Sequence, residues 1–286
     1  MNTVIKTSLT LLSLLLSYSV AAEPLYFKAT KGDKELMILG SIHMGNSQMY
    51  PLPAAITAFL QTSDAVITEI KLTDDTPTLS TDTQSTDEVL NEKQKALLEE
   101  INRQLGLTPK AFLTIPAWQT AVTLQISQFS KMGFSQQLGI DTYITEQATN
   151  LDKTILALES IEFQLGLFTN DPKVSQLLLT DTIENWQENV KVSECLVESW
   201  HAGNKQQLAE LAIQSAIGDE LGDQFIYQRN HDWASKLDSN SFIAEGKFLV
   251  VVGALHLVGK ENLLSLLSEK GFSIDQLSKE NPIDCL

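Results

Sequence analysis

Two histidines of this chain stand in one repeated phrase. His43 lies in Leu39-Gly40-Ser41-Ile42-His43-Met44-Gly45, and His256 in Val252-Gly253-Ala254-Leu255-His256-Leu257-Val258-Gly259. In each case a glycine sits three residues before the ring and an apolar run precedes the glycine, where it would allow a sharp turn or a close backbone approach. Two carboxylates end apolar runs in the same way: Glu69 after Ala65-Val66-Ile67-Thr68, and Glu159 after Thr154-Ile155-Leu156-Ala157-Leu158. Neutral imidazoles with one or two carboxylates suit a divalent metal that keeps open positions, which can activate water or polarise a carbonyl. A single histidine after a strand is more often a hydrogen-bonded core residue, so the shared phrase is what favours a site. Glu69 inside so apolar a run is costly unless it is paired or ligating, though it could also cap the following turn. For Glu159, a role as ligand or base stands beside that of structural ion-pair partner. Arg229, in Phe225-Ile226-Tyr227-Gln228-Arg229-Asn230-His231-Asp232-Trp233, is either a planar donor to developing negative charge or a surface ion pair, and spacing alone favours the surface pair. His201 and His231 sit in polar helical contexts and are expected to face solvent.

These residues are far apart in sequence, so the fold must bring them together. Apolar strand patterns cover Leu25 to Ala29, Glu35 to Leu39, Ala65 to Ile70, Thr154 to Leu158 and Lys247 to Val252, the first two joined by a turn at Lys31-Gly32-Asp33. Helical spacing covers Ala54 to Leu60, Asn91 to Gln104, Pro116 to Lys131 with the proline in the first turn, a helix opened by Gly139-Ile140-Asp141 and running to about Asn150, Ile161 to Phe168 and Glu261 to Leu267. Thr73 to Glu88, rich in Thr, Ser and Asp, reads as a solvated loop, and about 172 to 238 reads as helix after helix, broken near Gly203 and Gly218 to Gly222. Alternating strands and helices predict an α/β layer with a mostly parallel sheet and a long helical insertion. In such sheets ligands bind beyond the carboxyl ends of the strands, where all four strand-end residues would lie.

The first residues predict a secretory leader over 1–22: Lys6, an apolar stretch from Leu9 to Leu16, and Val20-Ala21-Ala22 before Glu23. Residues 23–286 then form one domain, periplasmic or secreted, with no further segment apolar enough to span a membrane. The net charge of −16, made one unit more negative by loss of the leader and its only charge, Lys6, argues against nucleic acid as a partner. With 286 residues and 43% hydrophobic content, the chain can bury a full core. Its two cysteines, Cys195 and Cys285, form either one disulfide in an oxidising compartment or two separate buried thiols.

Taken in order, Leu39-Gly40-Ser41-Ile42-His43, Ala65-Val66-Ile67-Thr68-Glu69, Gly139-Ile140-Asp141, Leu158-Glu159-Ser160-Ile161-Glu162-Phe163-Gln164, Arg229-Asn230 and Val252-Gly253-Ala254-Leu255-His256-Leu257 resemble the phrases of the TraB/PrgY/GumN family, which includes the Tiki proteins. The resemblance runs from Leu25 to about Leu277 and points to an exported bacterial GumN-like member. It implies a fold similar to the erythromycin esterase and ChaN-like group. Animal Tiki members act as metal-dependent proteases through the paired G-x-x-H motifs and a glutamate, and pheromone-shutdown members are associated with blocking or removing a peptide signal. Carried over by position, His43 and His256 bind the metal, Glu69 completes the ligand set or activates water, and Arg229 stabilises an oxyanion. Glu159 and Gln164 match a further recurrent phrase, which adds Glu159 to the catalytic candidates. Gln228 stands where the family pattern has an acidic residue, which weakens any role for a carboxylate there and leaves His43, Glu69 and His256 untouched. The implied activity is that of a metal-dependent hydrolase, foremost a peptidase acting on a peptide or protein. Manganese or cobalt is favoured, and zinc is compatible with the ligand types. The alternatives are a non-catalytic peptide- or metal-binding protein and an esterase-type hydrolase.

Overall fold

A two-residue loop at Gly32 and Asp33, with Gly32 at a left-handed φ of +56°, turns β1 (Tyr26–Lys31) back onto β2 (Lys34–Ser41) as an antiparallel hairpin. The computed structural model describes residues 22–71, 84–214 and 221–285, so the leader expected over 1–22 lies outside the described residues but for Ala22. Four further strands follow: β3 (Ala65–Thr68), β4 (Thr154–Ala157), β5 (Gly246–Gly253) and β6 (Ser273–Gln276). Together they form one sheet in the order β4-β3-β5-β2-β1-β6.

Within it β4, β3, β5 and β2 run parallel, while β1 is antiparallel to both of its neighbours. The fold is therefore mixed α/β with a largely parallel sheet, as the alternation of patterns predicts. Buried parallel strands need apolar residues on both faces, and the run Phe248 to Val252 of β5 is buried throughout.

The helices, in chain order, are α1 (Ala54–Thr62), α2 (Thr86–Val89), α3 (Glu92–Gln104), α4 (Ala117–Lys131), α5 (Ile140–Asn150), α6 (Ile161–Thr169), α7 (Pro172–Glu184), α8 (Trp186–Ala202), α9 (Lys205–Gln214), α10 (Gln228–Asp238) and α11 (Leu263–Glu269). Three sequence expectations need correction. The end of the segment read as loop is α2, closed by a capping box in which Ser85 and Glu88 serve each other's backbone N–H, while 72–83 lie outside the described residues. Pro116 precedes the first turn of α4 as its N-cap, and the helix expected from Glu261 starts only at Leu263, after Asn262 caps it.

Two hydrophobic cores result. The larger packs α1, α5, α10 and α11 on the sheet through residues such as Ile56, Ile144, Trp233 and Leu267. The second is all helical and draws on two stretches of chain, one between β3 and β4 and one between β4 and β5, with Leu98, Leu124, Leu179, Trp186 and Phe225 at its centre. Among the described residues no helix is long and apolar enough to cross a membrane.

Cys195 on α8 is bonded to Cys285, with Cα atoms 5.4 Å apart, which settles the open choice in favour of the bridge. It closes a loop with a sequence separation of 90 residues. Restricting the unfolded chain over a loop of that size should contribute roughly 4 kcal/mol. Reductant should therefore lower the urea midpoint of the wild-type protein and leave that of Cys285→Ser unmoved.

Candidate functional site

The register of the parallel strands brings four chain-distant residues to one edge. Ser41 of β2 is level with Gly253 of β5, Val251 of β5 with Thr68 of β3, and Thr68 with Ala157 of β4. The residues that leave these strands are His43, His256, Glu69 and Glu159, so they follow one another across four adjacent strand ends. The carboxyl-end reasoning predicts this row.

Of the glycines in the two G-x-x-H phrases, Gly40 serves close approach, whereas a side chain at Gly253 would meet only ordinary contacts. A Cβ on Gly40 would lie 3.1 Å from the Ala254 Cα, and one on Gly253 would lie 3.4 Å from Glu69 Oε1 and 3.5 Å from the His256 ring. The Gly40 carbonyl also accepts the buried indole N–H of Trp200, at 2.9 Å.

Arg229 lies at the centre of the site. From spacing alone it resembles a surface charge, yet it is only 7% exposed. Its Nη2 donates to Glu69 Oε2 at 2.5 Å and to Glu159 Oε1 at 2.6 Å, and its Nε is shared by both Glu159 oxygens at 3.1 and 3.2 Å. Its Nη1 donates to the Phe225 carbonyl at 3.0 Å and to His256 Nε2 at 3.3 Å. All five guanidinium N–H groups are thus engaged. Five residues of π-helix, Asp223–Tyr227, lead into α10 and place the Phe225 carbonyl under this guanidinium, so the site lies on the seam between the two cores.

Gln164 donates from one amide nitrogen to Glu69 Oε2 at 3.0 Å and to Glu159 Oε1 at 2.8 Å. The Trp233 indole donates to Glu159 Oε2 at 3.1 Å. With Arg229, Gln164 and Trp233 all upon it, Glu159 is an anchor that holds the guanidinium. Glu69 Oε1 accepts the Gly253 N–H at 2.7 Å. Burial works against ionisation of Glu69, but the Arg229 guanidinium, the His43 ring and the Gly253 N–H outweigh it and hold the carboxyl well below its ordinary range. An acid held so low is a good ligand and a poor general base at neutral pH.

The two imidazoles are held alike at Nδ1 and otherwise differ. His256 is buried, with Nδ1 2.7 Å from Asn230 Oδ1 and its ring 4.3 Å from that of Trp233. Burial pushes its pKa down to about 3, so the ring is neutral. His43 has a side chain 69% exposed, with Nδ1 2.9 Å from Asp141 Oδ2. Asp141 raises the His43 pKa, and its other oxygen accepts the Ser41 hydroxyl at 2.7 Å. Its position depends on bare backbone contact: Gly45 and Ser135 exchange N–H···O bonds, and the Ile140 N–H reaches the Ile42 carbonyl. A Cβ on Gly139 would sit 2.2 Å from the His43 carbonyl oxygen, so only glycine lets α5 deliver Asp141 here. Of the remaining histidines, His231 is exposed and paired with Glu261 at 2.9 Å, as its polar context suggests, while His201 is half-buried with Nε2 3.1 Å from the Gln48 carbonyl.

As a donor set for a divalent cation, neutral His256, the exposed His43 ring and ionised Glu69 fit in kind. Among the described residues no three His, Cys, Asp or Glu side chains form a ready cage. Arg229 bridges Glu69 and His256. A cation would have to loosen that bridge and displace a proton from His43.

Asp141, Asn230, Gln164 and Trp233 complete the site, and sequence reasoning assigns none of them a role. The recurrent Gly139-Ile140-Asp141 phrase is the one signal that could have brought Asp141 forward.

The model of the TraB/PrgY/gumN family matches residues 25–276, and this chain belongs to that family. It is similar to the Uncharacterized protein YbaP of Escherichia coli (strain K12), with 32% identity over 238 residues, covering 82% of this chain and 89% of that protein. The protein of the same name from Shigella flexneri is similar to the same extent. No solved structure matches.

Proposed function

We propose that this protein is a metal-dependent hydrolase, foremost a peptidase, working in the periplasm or outside the cell. The observation that supports the reading is the level register of β2, β5 and β3, which brings the strand ends that lead to His43, His256 and Glu69 to one sheet edge. In this reading those three side chains hold a divalent cation, with manganese or cobalt favoured and zinc compatible. A bound cation would supply Lewis acidity for a carbonyl and a lowered pKa for water.

The rest is work for the chain's own residues. Asp141 keeps the His43 ring oriented, and Glu159, Gln164 and Trp233 keep Arg229 and Glu69 in place. The 3.3 Å bond from Arg229 Nη1 to His256 is the longest that the guanidinium makes. With His256 Nε2 engaged elsewhere, Nη1 would lose one of its two acceptors and have one N–H free for a developing oxyanion. Substrate would approach from the exposed side of His43, since Glu69, Arg229 and His256 are buried.

Capture of a peptide or a metal without turnover is the second reading, and the full engagement of Arg229 favours it. Hydrolysis of an ester on an erythromycin esterase or ChaN-like fold is the third. One experiment orders them: the full chain, stripped by chelator and then given manganese, cobalt or zinc, is offered a peptide library and a set of simple esters. Metal-restored peptide cleavage is expected. Tight peptide binding with no cleavage under any metal would replace this reading with capture, and cleavage of esters alone would replace it with the third.

A further inference from the structure

We propose that Asn230 is a positioning residue that commits His256 to one tautomer, with the proton on Nδ1 and the lone pair of Nε2 turned into the site. Two independent contacts require it. On one side of the ring, Nε2 lies 3.3 Å from Arg229 Nη1, and a guanidinium nitrogen can only donate. A proton on Nε2 would set donor against donor, so Nε2 carries its lone pair and the neutral ring must hold its proton on Nδ1.

On the other side, Asn230 is fully buried, with Oδ1 2.7 Å from His256 Nδ1 and Nδ2 2.9 Å from the Glu261 carbonyl oxygen. The reversed amide would place its oxygen against that carbonyl, two acceptors facing each other. Glu261 therefore fixes the amide, the amide fixes the proton, and Arg229 independently agrees.

The backbone makes a special arrangement for this. Glu261 takes a left-handed φ of +48°, unusual for a residue with a side chain, directly before the Asn262 cap of α11. Its carboxylate is held from outside by His231 at 2.9 Å and Lys260 at 2.8 Å. The relay thus runs from a strained surface turn, through one amide, to the site-facing nitrogen of the buried imidazole. Outer partners of this kind commonly fix the tautomer of a working histidine. Calling that nitrogen the working one rests on the function proposed above, whereas the tautomer itself does not.

Long-range 1H–15N correlation spectra of the uniformly 15N-labelled protein test the proposal. With four histidines in the chain, the His256 ring is assigned by its loss in His256→Gln. Wild type should show His256 as a single neutral ring, protonated on Nδ1 with an unprotonated Nε2. Asn230→Ala leaves only the longer 3.3 Å Arg229 contact to hold the tautomer and should admit a share of Nε2 protonation, whereas Asn230→Asp, which keeps an oxygen at Nδ1, should keep Nδ1 protonated. A wild-type His256 protonated on Nε2 overturns the proposal even if neither variant folds, and an unchanged pattern in Asn230→Ala overturns it too. The expected tautomer in a protein that cleaves nothing would sink the hydrolase reading and leave this one standing.

Discussion

Replacing Arg229 with methionine will lower the free energy of unfolding by roughly 3–5 kcal/mol, the usual cost of leaving buried charge without its partner. The side chains of Glu69 and Glu159 are 7% and 6% exposed, and both meet the same guanidinium nitrogen. Methionine can fill most of the space left by the arginine stem. It cannot replace the five N–H groups, so two carboxylates would face each other across a dry gap. Urea unfolding at neutral pH measures the loss. Adding Glu159→Gln to Arg229→Met should recover a large part of it, because one of the stranded charges is then removed. A loss below about 1 kcal/mol, the range of exposed ion pairs, would mean that water reaches the cluster and that the buried description is mistaken.

On the proposed function, His43→Ala and Glu69→Gln will each lower metal-supported peptide cleavage by at least roughly 10²-fold, the smaller end of what one placed catalytic group contributes. The two variants should differ in stability. His43 is exposed and its removal leaves Asp141 still paired with Ser41, so His43→Ala should unfold near the wild-type midpoint. Glu69→Gln disturbs the buried ion cluster and should unfold earlier. Unchanged turnover in both variants would remove these side chains from the chemistry. Turnover lost in Glu69→Gln alone, in step with its stability, would assign the residue to the scaffold.

What could be read from the chain alone follows from where apolar runs stop. His43, Glu69, Glu159 and His256 each interrupt or end a strand-like pattern, and a polar residue at such a position is conspicuous. Their convergence needed only the rule for parallel sheets. Trp233 escaped, and Asn230 and Gln164 stood in recurrent phrases without a role, because all three sit on helices, where a polar residue can as readily face solvent as the interior. Arg229 shows the limit of pattern: the same amphipathic spacing fits a surface ion pair, and only the nearness of Glu69 and Glu159, 160 and 70 residues away in the chain, makes it central. The second helical core was legible as helices but not as a core, because its halves come from either side of β4. The turn at Glu261 left no trace in composition, since a left-handed backbone is unremarkable until a carbonyl has been seen to point somewhere useful.

The place of β5 has a consequence for the order of synthesis. This strand lies between β2 and β3 and is bonded to both, yet it comes last of the four parallel strands. A growing chain that has not reached Gly246 owns two separate ribbons, one of β1 with β2 and one of β3 with β4, with no ladder between them. It also lacks His256 and the Gly253 N–H that steadies Glu69. A product that ends before β5 therefore cannot hold the candidate site.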